Sequence, residues 1–256
     1  MKSISTSQAM RYSRQILLAG FDLDKQEILI NSRVLIIGVG GLGCAASQYL
    51  AASGVGQMTL VDDDVVELTN LQRQVLHDEA SIGEKKVVSA SRSLQRINSN
   101  VSVSLIEERQ SQSELLALVK RHDMVLDCTD NLQTRNTLNR VCYQALTPLI
   151  SGAAIRMEGQ VFCVIPQQKS ACYHCISRYF GEQSLSCVEA GVMSPVVGVI
   201  GSMQALEAIK VLCGYGEAPV NKLQIFDGMT SQWQSFQVNS DASCEVCGAA
   251  QKHSDE

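Results

Sequence analysis

A chain of 256 residues, 45% hydrophobic and 18% charged with a formal net charge of −5, has the make-up of an ordinary globular protein and can bury roughly three quarters of its unfolded surface in one large domain. The negative balance and the lack of any basic tract exclude general nucleic-acid binding. The segment Met1–Thr6 lacks the apolar core of a signal peptide, and the longest apolar stretch, Val192 to Met203, is interrupted by Ser194, Pro195 and Gly198 and is too short to cross a bilayer, so a cytoplasmic location without a membrane partner is expected.

In chain order, residues Met10 to Leu29 read as helical, with Ile16, Leu17 and Leu18 on an apolar face. Val34–Ile37 is a buried strand, and a helix follows from Gly41 to about Ala52. Met58–Val61 is a second strand ending at Asp62, Gly83 to Ile97 is helical, and alternating Val101, Val103 and Leu105 make a third strand. Leu115–Lys120 is helical, Met124–Leu126 is a strand ending at Asp127, Asn131–Ala145 is helical, and Leu149–Ile150 opens a fifth strand. This alternation predicts an α/β fold: a Rossmann-like, mostly parallel sheet with helices on both faces.

The second half changes character. Gln160–Ile165, Leu223–Phe226 and Trp233–Val238 read as strands, and a helix capped by Ser194, with Pro195 at its first position, runs through Gly201 to Leu212. With no linker and no repeat, residues 1–249 read as one domain: N-terminal helices at 1–31, a nucleotide-binding core at 32–150 and a C-terminal part at 151–249. The polar residues 250–256 are expected to be a disordered tail.

The chemistry starts at Gly38-Val39-Gly40-Gly41-Leu42-Gly43, a glycine turn between the first strand and its helix. Such a turn lets backbone N–H groups and the positive end of a helix approach a phosphate. Asp62, at the end of the second strand, is spaced to bond a ribose. Both features fit NAD as well as ATP. The choice comes from Asn70, Arg73, Lys86 and Asp130. Bringing a carboxylate anion to a triphosphate demands fixed cations and a metal ion. Arg73 and Lys86 supply the cations, and Asp130, just beyond the fourth strand, can hold Mg²⁺. Hydride transfer has no need of this set. Asp64 is a further candidate for the ATP site, whereas Asp63 reads as a solvated loop residue.

Ten cysteines are many for a protein of this kind. Cys172/Cys175 and Cys244/Cys247 form two C-x-x-C pairs, the thiolate set of a structural Zn²⁺ site that would staple the C-terminal tail to a distant loop; redox or disulfide use of the pairs is the other reading. Cys44, Cys128, Cys142, Cys163 and Cys213 sit in apolar or helical surroundings as small core residues. Cys187, between a polar loop and Gly191, is expected to be exposed.

Arg11–Leu18, the glycine loop, Asn70–Gln74 and Asp127–Asn131 together resemble the HesA/MoeB/ThiF family, the bacterial relatives of ubiquitin-activating enzymes, and the likeness spans nearly the whole chain. Gly152–Gln160 and Cys187–Val192 resemble the molybdopterin branch, and Phe226–Gly228 through Ser231–Trp233 the thiamine branch. The resemblance implies ATP-dependent adenylation of the C-terminal glycine of a small ubiquitin-like sulfur-carrier protein, in molybdenum cofactor biosynthesis on the first branch and in the thiamine pathway on the alternative. It also implies that Gly41 lines the nucleotide site, Asp62 binds ribose, Asn70, Arg73 and Lys86 contact phosphates, and Asp130, followed by Asn131, coordinates Mg²⁺. It implies a homodimer in which Arg14 reaches the partner's triphosphate, a sulfurtransferase that supplies the sulfur, and a cysteine at or near Cys187 able to take a covalent role. The Gly152–Gly159 segment is a candidate for part of the groove for the carrier's tail.

Overall fold

Val34–Ile37 does form the buried centre of a sheet. In a computed structural model, which describes residues 3–178 and 190–248, β1 (Arg33–Ile37) pairs in parallel with β2 (Gln57–Val61) and with β4 (Met124–Asp127). β3 (Ser102–Ile106) adds outside β2, and β5 (Leu149–Ile155) outside β4, both parallel. The sheet then turns antiparallel through β6 (Glu158–Val164), β7 (Lys222–Asp227) and β8 (Gln232–Gln237), in the order β3-β2-β1-β4-β5-β6-β7-β8. The β5–β6 hairpin closes on Arg156 and Met157, with Arg156 at φ 54°. Cys187 and the tail 250–256 lie outside the described residues.

Alternate side chains of the central strands feed two cores. Val34, Ile36, Met58, Leu60, Met124 and Leu126 face helices α3 (Asp22–Asn31), α4 (Gly41–Ser53), α5 (Lys86–Ile97) and α9 (Ser194–Cys213). Leu35, Ile37, Val125, Leu149, Phe162 and Val164 face α6 (Gln112–Val119), α7 (Leu132–Ala145) and α8 (Tyr173–Ser177). The five cysteines read as small core residues are all buried.

Four expectations need correction. The N-terminal helix is three helices, α1 (Thr6–Arg11), α2 (Ser13–Ile16) and α3. Gly20 at φ 80° and Asp22 at φ 52° interrupt it, and Tyr12 turns inward to pack its ring where a side chain on Gly54 would lie. The third strand is found at the sheet's outer edge, mostly exposed but with Val103 packed against the core beside buried Val101. α5 starts at Lys86, because Gly83 at φ 86° holds a turn before it. Most of the Val192–Met203 stretch belongs to a 20-residue helix, Ser194–Cys213, long and apolar enough by length and composition to cross a membrane. Met193 occupies the cap position and Pro195 lies in the first turn, where it costs no hydrogen bond. Gly201 lets α9 press onto α4, since a Cβ there would lie 2.5 Å from Leu42 O. Half of this helix is buried in the protein as a core element.

Candidate functional site

The order of the strands reverses between β1 and β4, so a crevice opens at their carboxyl ends, the usual ligand position in such sheets. The glycine loop fills one side of it. Gly38 has φ 90°, and a Cβ there would sit 2.8 Å from Cys128 O, so only glycine lets the β1 and β4 loops touch. At Gly41 a Cβ would meet Val197 Cγ1 at 2.5 Å and the stem of Arg73 at 3.4 Å, so helix packing itself requires this glycine. The first turn of α4 has no side-chain cap. Its orphan N–H groups and the positive end of a 13-residue helix are left for an anion.

Asp62 buttresses this loop: Val39 N donates to Oδ2 at 2.6 Å and Asp64 N to Oδ1 at 3.0 Å. Burial raises its pKa from the usual carboxylate value, opposed by the Lys86 charge and these two N–H donors. Lys86 is only 6% exposed and opens α5, where both desolvation and the helix dipole disfavour a cation. Its ammonium lies 2.7 Å from the exposed Asp64 carboxylate. The Asp62, Asp63 and Asp64 carboxylates lie within 4.8 Å of one another, but Asp64 is engaged by Lys86.

Asn70 is buried, with Oδ1 accepting from Glu67 N at 3.3 Å, and Arg73 Nη1 donates to Thr69 O at 3.1 Å. Two neighbours escaped the sequence reading. Gln74 is buried, its Nε2 lies 3.6 Å from where a Cβ on Gly40 would be, and its Oε1 has no partner. His77 bridges Ser89 Oγ on α5 (2.9 Å) and Val39 O in the glycine loop (3.3 Å), and burial lowers its pKa. Only the spacing of Gln74 and His77 behind Arg73 could have signalled them.

Across the crevice Asp130 is exposed, and Asn131 caps α7 by accepting from Thr134 N at 2.8 Å. The loop is braced from below by the fully buried Asp127, which takes Thr129 N (3.1 Å), Thr129 Oγ1 (2.7 Å) and Ser151 Oγ (2.7 Å). Arg135 Nη2 donates to Thr129 O at 2.6 Å, and Gln204 Nε2 of α9 reaches Asp127 O at 2.8 Å. The sequence placed Asp127 at the end of its strand but did not show these bracing roles, because a buried polar contact leaves no pattern of its own. An exposed carboxylate oxygen on such a fixed loop suits Mg²⁺.

Arg14 is not brought to this crevice. Its neighbours Tyr12 and Gln15 are held by Asn98 at the end of α5 (2.8 Å) and by Ser53 O at the end of α4 (2.9 Å). That is the far end of a helix about 20 Å long. Arg14 is exposed there among Met10, Leu17 and Leu18, all exposed as well.

On the other side of the sheet the four paired cysteines converge, all buried. Sγ–Sγ distances are 3.9 Å for Cys172–Cys175, 3.7 Å for Cys172–Cys244 and 3.4 Å for Cys175–Cys247. These are too long for S–S bonds of about 2.05 Å. They approach the roughly 3.8 Å edge of a tetrahedron with Zn–S near 2.3 Å. Hydrogen bonding from Cys247, and then from Asn139, lowers the Cys172 pKa, whereas burial raises that of Cys175 and the hydrogen bond to Cys172 raises that of Cys247. Arg178 pairs with Asp241 at 2.7 Å beside the knuckle.

The ThiF family model matches residues 12–246. Molybdopterin-synthase adenylyltransferase of Escherichia coli K12 is 54% identical over 97% of this chain and 100% of its own length. The sulfur carrier protein ThiS adenylyltransferase of the same organism is 44% identical over 94% of the chain and 96% of its length. Among solved structures, E. coli MccB with ATP superposes with a TM-score of 0.83 at 28% identity, over 93% of this chain and 74% of that one.

Proposed function

We propose, on the premise that the chain belongs to the ThiF family, that it adenylates the C-terminal glycine of a small ubiquitin-like sulfur carrier, the molybdopterin synthase small subunit, at the expense of ATP. One observation carries this reading: Lys86, buried and held by Asp64, stands with Asp62 against an uncapped glycine loop, opposite the braced Asp130. A triphosphate laid along the α4 N-terminus would meet Arg73, Asn70 and Lys86, and Asp62 would take the ribose. A carboxylate oxygen of the carrier's terminal glycine attacks the α-phosphorus, the bond from that phosphorus to the bridging oxygen of the β-phosphate breaks, and pyrophosphate leaves with the bridging electrons. The cations neutralise the charge gathered in this step. Mg²⁺, held by Asp130, would supply further neutralisation of the phosphates. The higher identity to the molybdopterin relative than to the ThiS relative favours the first pathway.

The assembly belongs to the same proposal. The segment carrying Arg14 is held a helix length from its own crevice, and the nearby Met10, Leu17 and Leu18 are exposed, which suits a homodimer in which Arg14 enters the partner's site. The four cysteines would hold one Zn²⁺ as a structural staple, residues 1–249 would act as one adenylation domain in the cytoplasm, and a sulfurtransferase would deliver sulfur to the adenylate. The test is exchange of labelled pyrophosphate into ATP with each purified carrier in turn. Exchange with the molybdopterin carrier and little with the thiamine carrier is expected; exchange with neither overturns the reading.

A further inference from the structure

We infer that Tyr173, between the first two knuckle cysteines, is a positioning residue for the nucleotide and carrier sites, acting through Arg135; the inference rests on the adenylation reading above. Arg135 lies one turn into α7, is 7% exposed and ties two reactant loops together. Its Nη2 donates to Thr129 O at 2.6 Å, next to Asp130, and to Gly152 O at 3.1 Å, where the candidate tail groove begins. The geometry of Asp130 against that groove therefore depends on how the guanidinium plane is set. Its ion pair with Asp127 does not set it: Nε lies 3.2 Å from Oδ2, yet its N–H has no hydrogen-bond partner. Beyond the two Nη2 bonds, the guanidinium lies over the Tyr173 ring, with Arg135 Cζ 5.4 Å from its centroid. A planar guanidinium on an aromatic face is held in orientation as well as in place.

Tyr173 is fixed in turn by the knuckle. Its N–H donates to Asn139 Oδ1 at 2.8 Å, it is buried, and its backbone joins Cys172 to the turn that presents Cys175. The chain Cys172–Tyr173–Arg135–Thr129 thus runs from the cysteine cluster to the loop of Asp130. A ring that merely filled volume could be replaced by leucine without consequence at the crevice.

The test uses the full-length protein, with zinc content, affinity for a non-hydrolysable ATP analogue with Mg²⁺, and pyrophosphate-exchange kinetics as readouts. Tyr173→Phe keeps the ring and is expected to stay within about twofold of wild type. Tyr173→Leu should retain zinc yet weaken analogue binding and raise KM for ATP about five- to tenfold, with kcat much less affected. Arg135→Lys should do the same, and the double variant should be no weaker than the weaker single one. Wild-type affinity in zinc-replete Tyr173→Leu, equal damage from Phe and Leu, or additive losses would each overturn the inference. If Tyr173→Leu loses its metal, reciprocal protection decides: the analogue should slow zinc transfer to a chelator in wild type but not in Arg135→Lys, and equal protection overturns the inference. Coupling by these binding readouts without any pyrophosphate exchange in wild type would sink the adenylation reading alone, whereas normal exchange with additive losses would sink this inference alone.

Discussion

Around the glycine loop, polar groups are left incompletely paired: the first turn of α4 has no side-chain cap, the ion pair of buried Lys86 is to the exposed Asp64 carboxylate, and Gln74 Oε1 has no partner. In the cysteine knuckle the sulfurs close on one another. All four sulfurs are buried within 4.8 Å of one another, with charged pairs such as Arg178–Asp241 beside them. The difference separates two kinds of site. One holds its polar groups in a geometry that only a ligand completes, at a cost in stability; the other closes on itself and contributes stability to the segments it ties. The two meet on α7, whose first turns brace the Asp130 loop and whose Asn139 touches the knuckle.

The sharpest way to break this contrast is at the knuckle. A closed thiolate site contributes on the order of 10 kcal/mol to the segments it ties. Cys244→Ser should therefore lose the metal, measured as a fall from one zinc per chain, and open the 238–248 region to limited proteolysis. ATP-analogue affinity should fall by no more than about tenfold, the share carried through Tyr173 and Arg135. Freshly purified wild-type protein without zinc would refute the staple.

At the crevice the larger effect is on rate. Asp130→Ala removes an exposed side chain, so its melting temperature should stay close to wild type, while carrier-dependent pyrophosphate exchange drops by about a hundred- to a thousandfold. Cys187→Ala should leave exchange at its original rate, since the carboxylate attacks ATP before any thiol acts. The reverse pattern would rule out the mechanism proposed here.

Mixing Arg14→Ala and Asp130→Ala protomers asks whether the crevice is complete within one chain. With free subunit exchange, half of the dimers pair the two variants, and each carries one intact composite site, so about a quarter of wild-type activity should return. No recovery despite demonstrated exchange would show that Arg14 does not act across an interface.

The smallest expected effect concerns pH. Burial lowers the pKa of His77 from 6.5, so the folded protein binds its proton less readily than the unfolded chain does. The stability it contributes is present above pH 6.5 and is lost as pH falls from there towards the depressed value. Melting curves between pH 7.5 and 5.5 should show a gentler acid decline for His77→Gln than for wild type. Identical slopes would remove His77 as a titrating link between α5 and the glycine loop.

How much of this was legible depended on whether a residue sat in a pattern. The apolar runs at 34–37, 58–61 and 124–126 and the glycines between them announce a parallel sheet, and the two C-x-x-C pairs announce a four-thiolate cluster because such a set suits a structural metal wherever the chain brings it together. Arg73, Lys86 and Asp130 were readable as charges in loop or helix-start positions. Gln74, His77, Asp127, Arg135 and Gln204 were not: each is a buried polar side chain whose purpose lies in a partner from another element, and its own neighbours in sequence say nothing of that partner. The same limit hid the breaks in the N-terminal helix, which exist because Tyr12 finds its place over Gly54 and beside Asn98.

By itself, then, the sequence determined the α/β class, the position of the glycine loop, the four-cysteine cluster and the charge type of the candidate nucleotide site, because periodicity, φ-permissive glycines and ligand chemistry are local properties. Tertiary structure alone decided that Lys86 is buried against Asp64, that the Arg14 segment is held at the end of α4 remote from the crevice and that Arg135 links Tyr173 to Thr129. Those facts depend on distances between elements far apart in the chain, and such distances are fixed only when the sheet and its two helical layers pack.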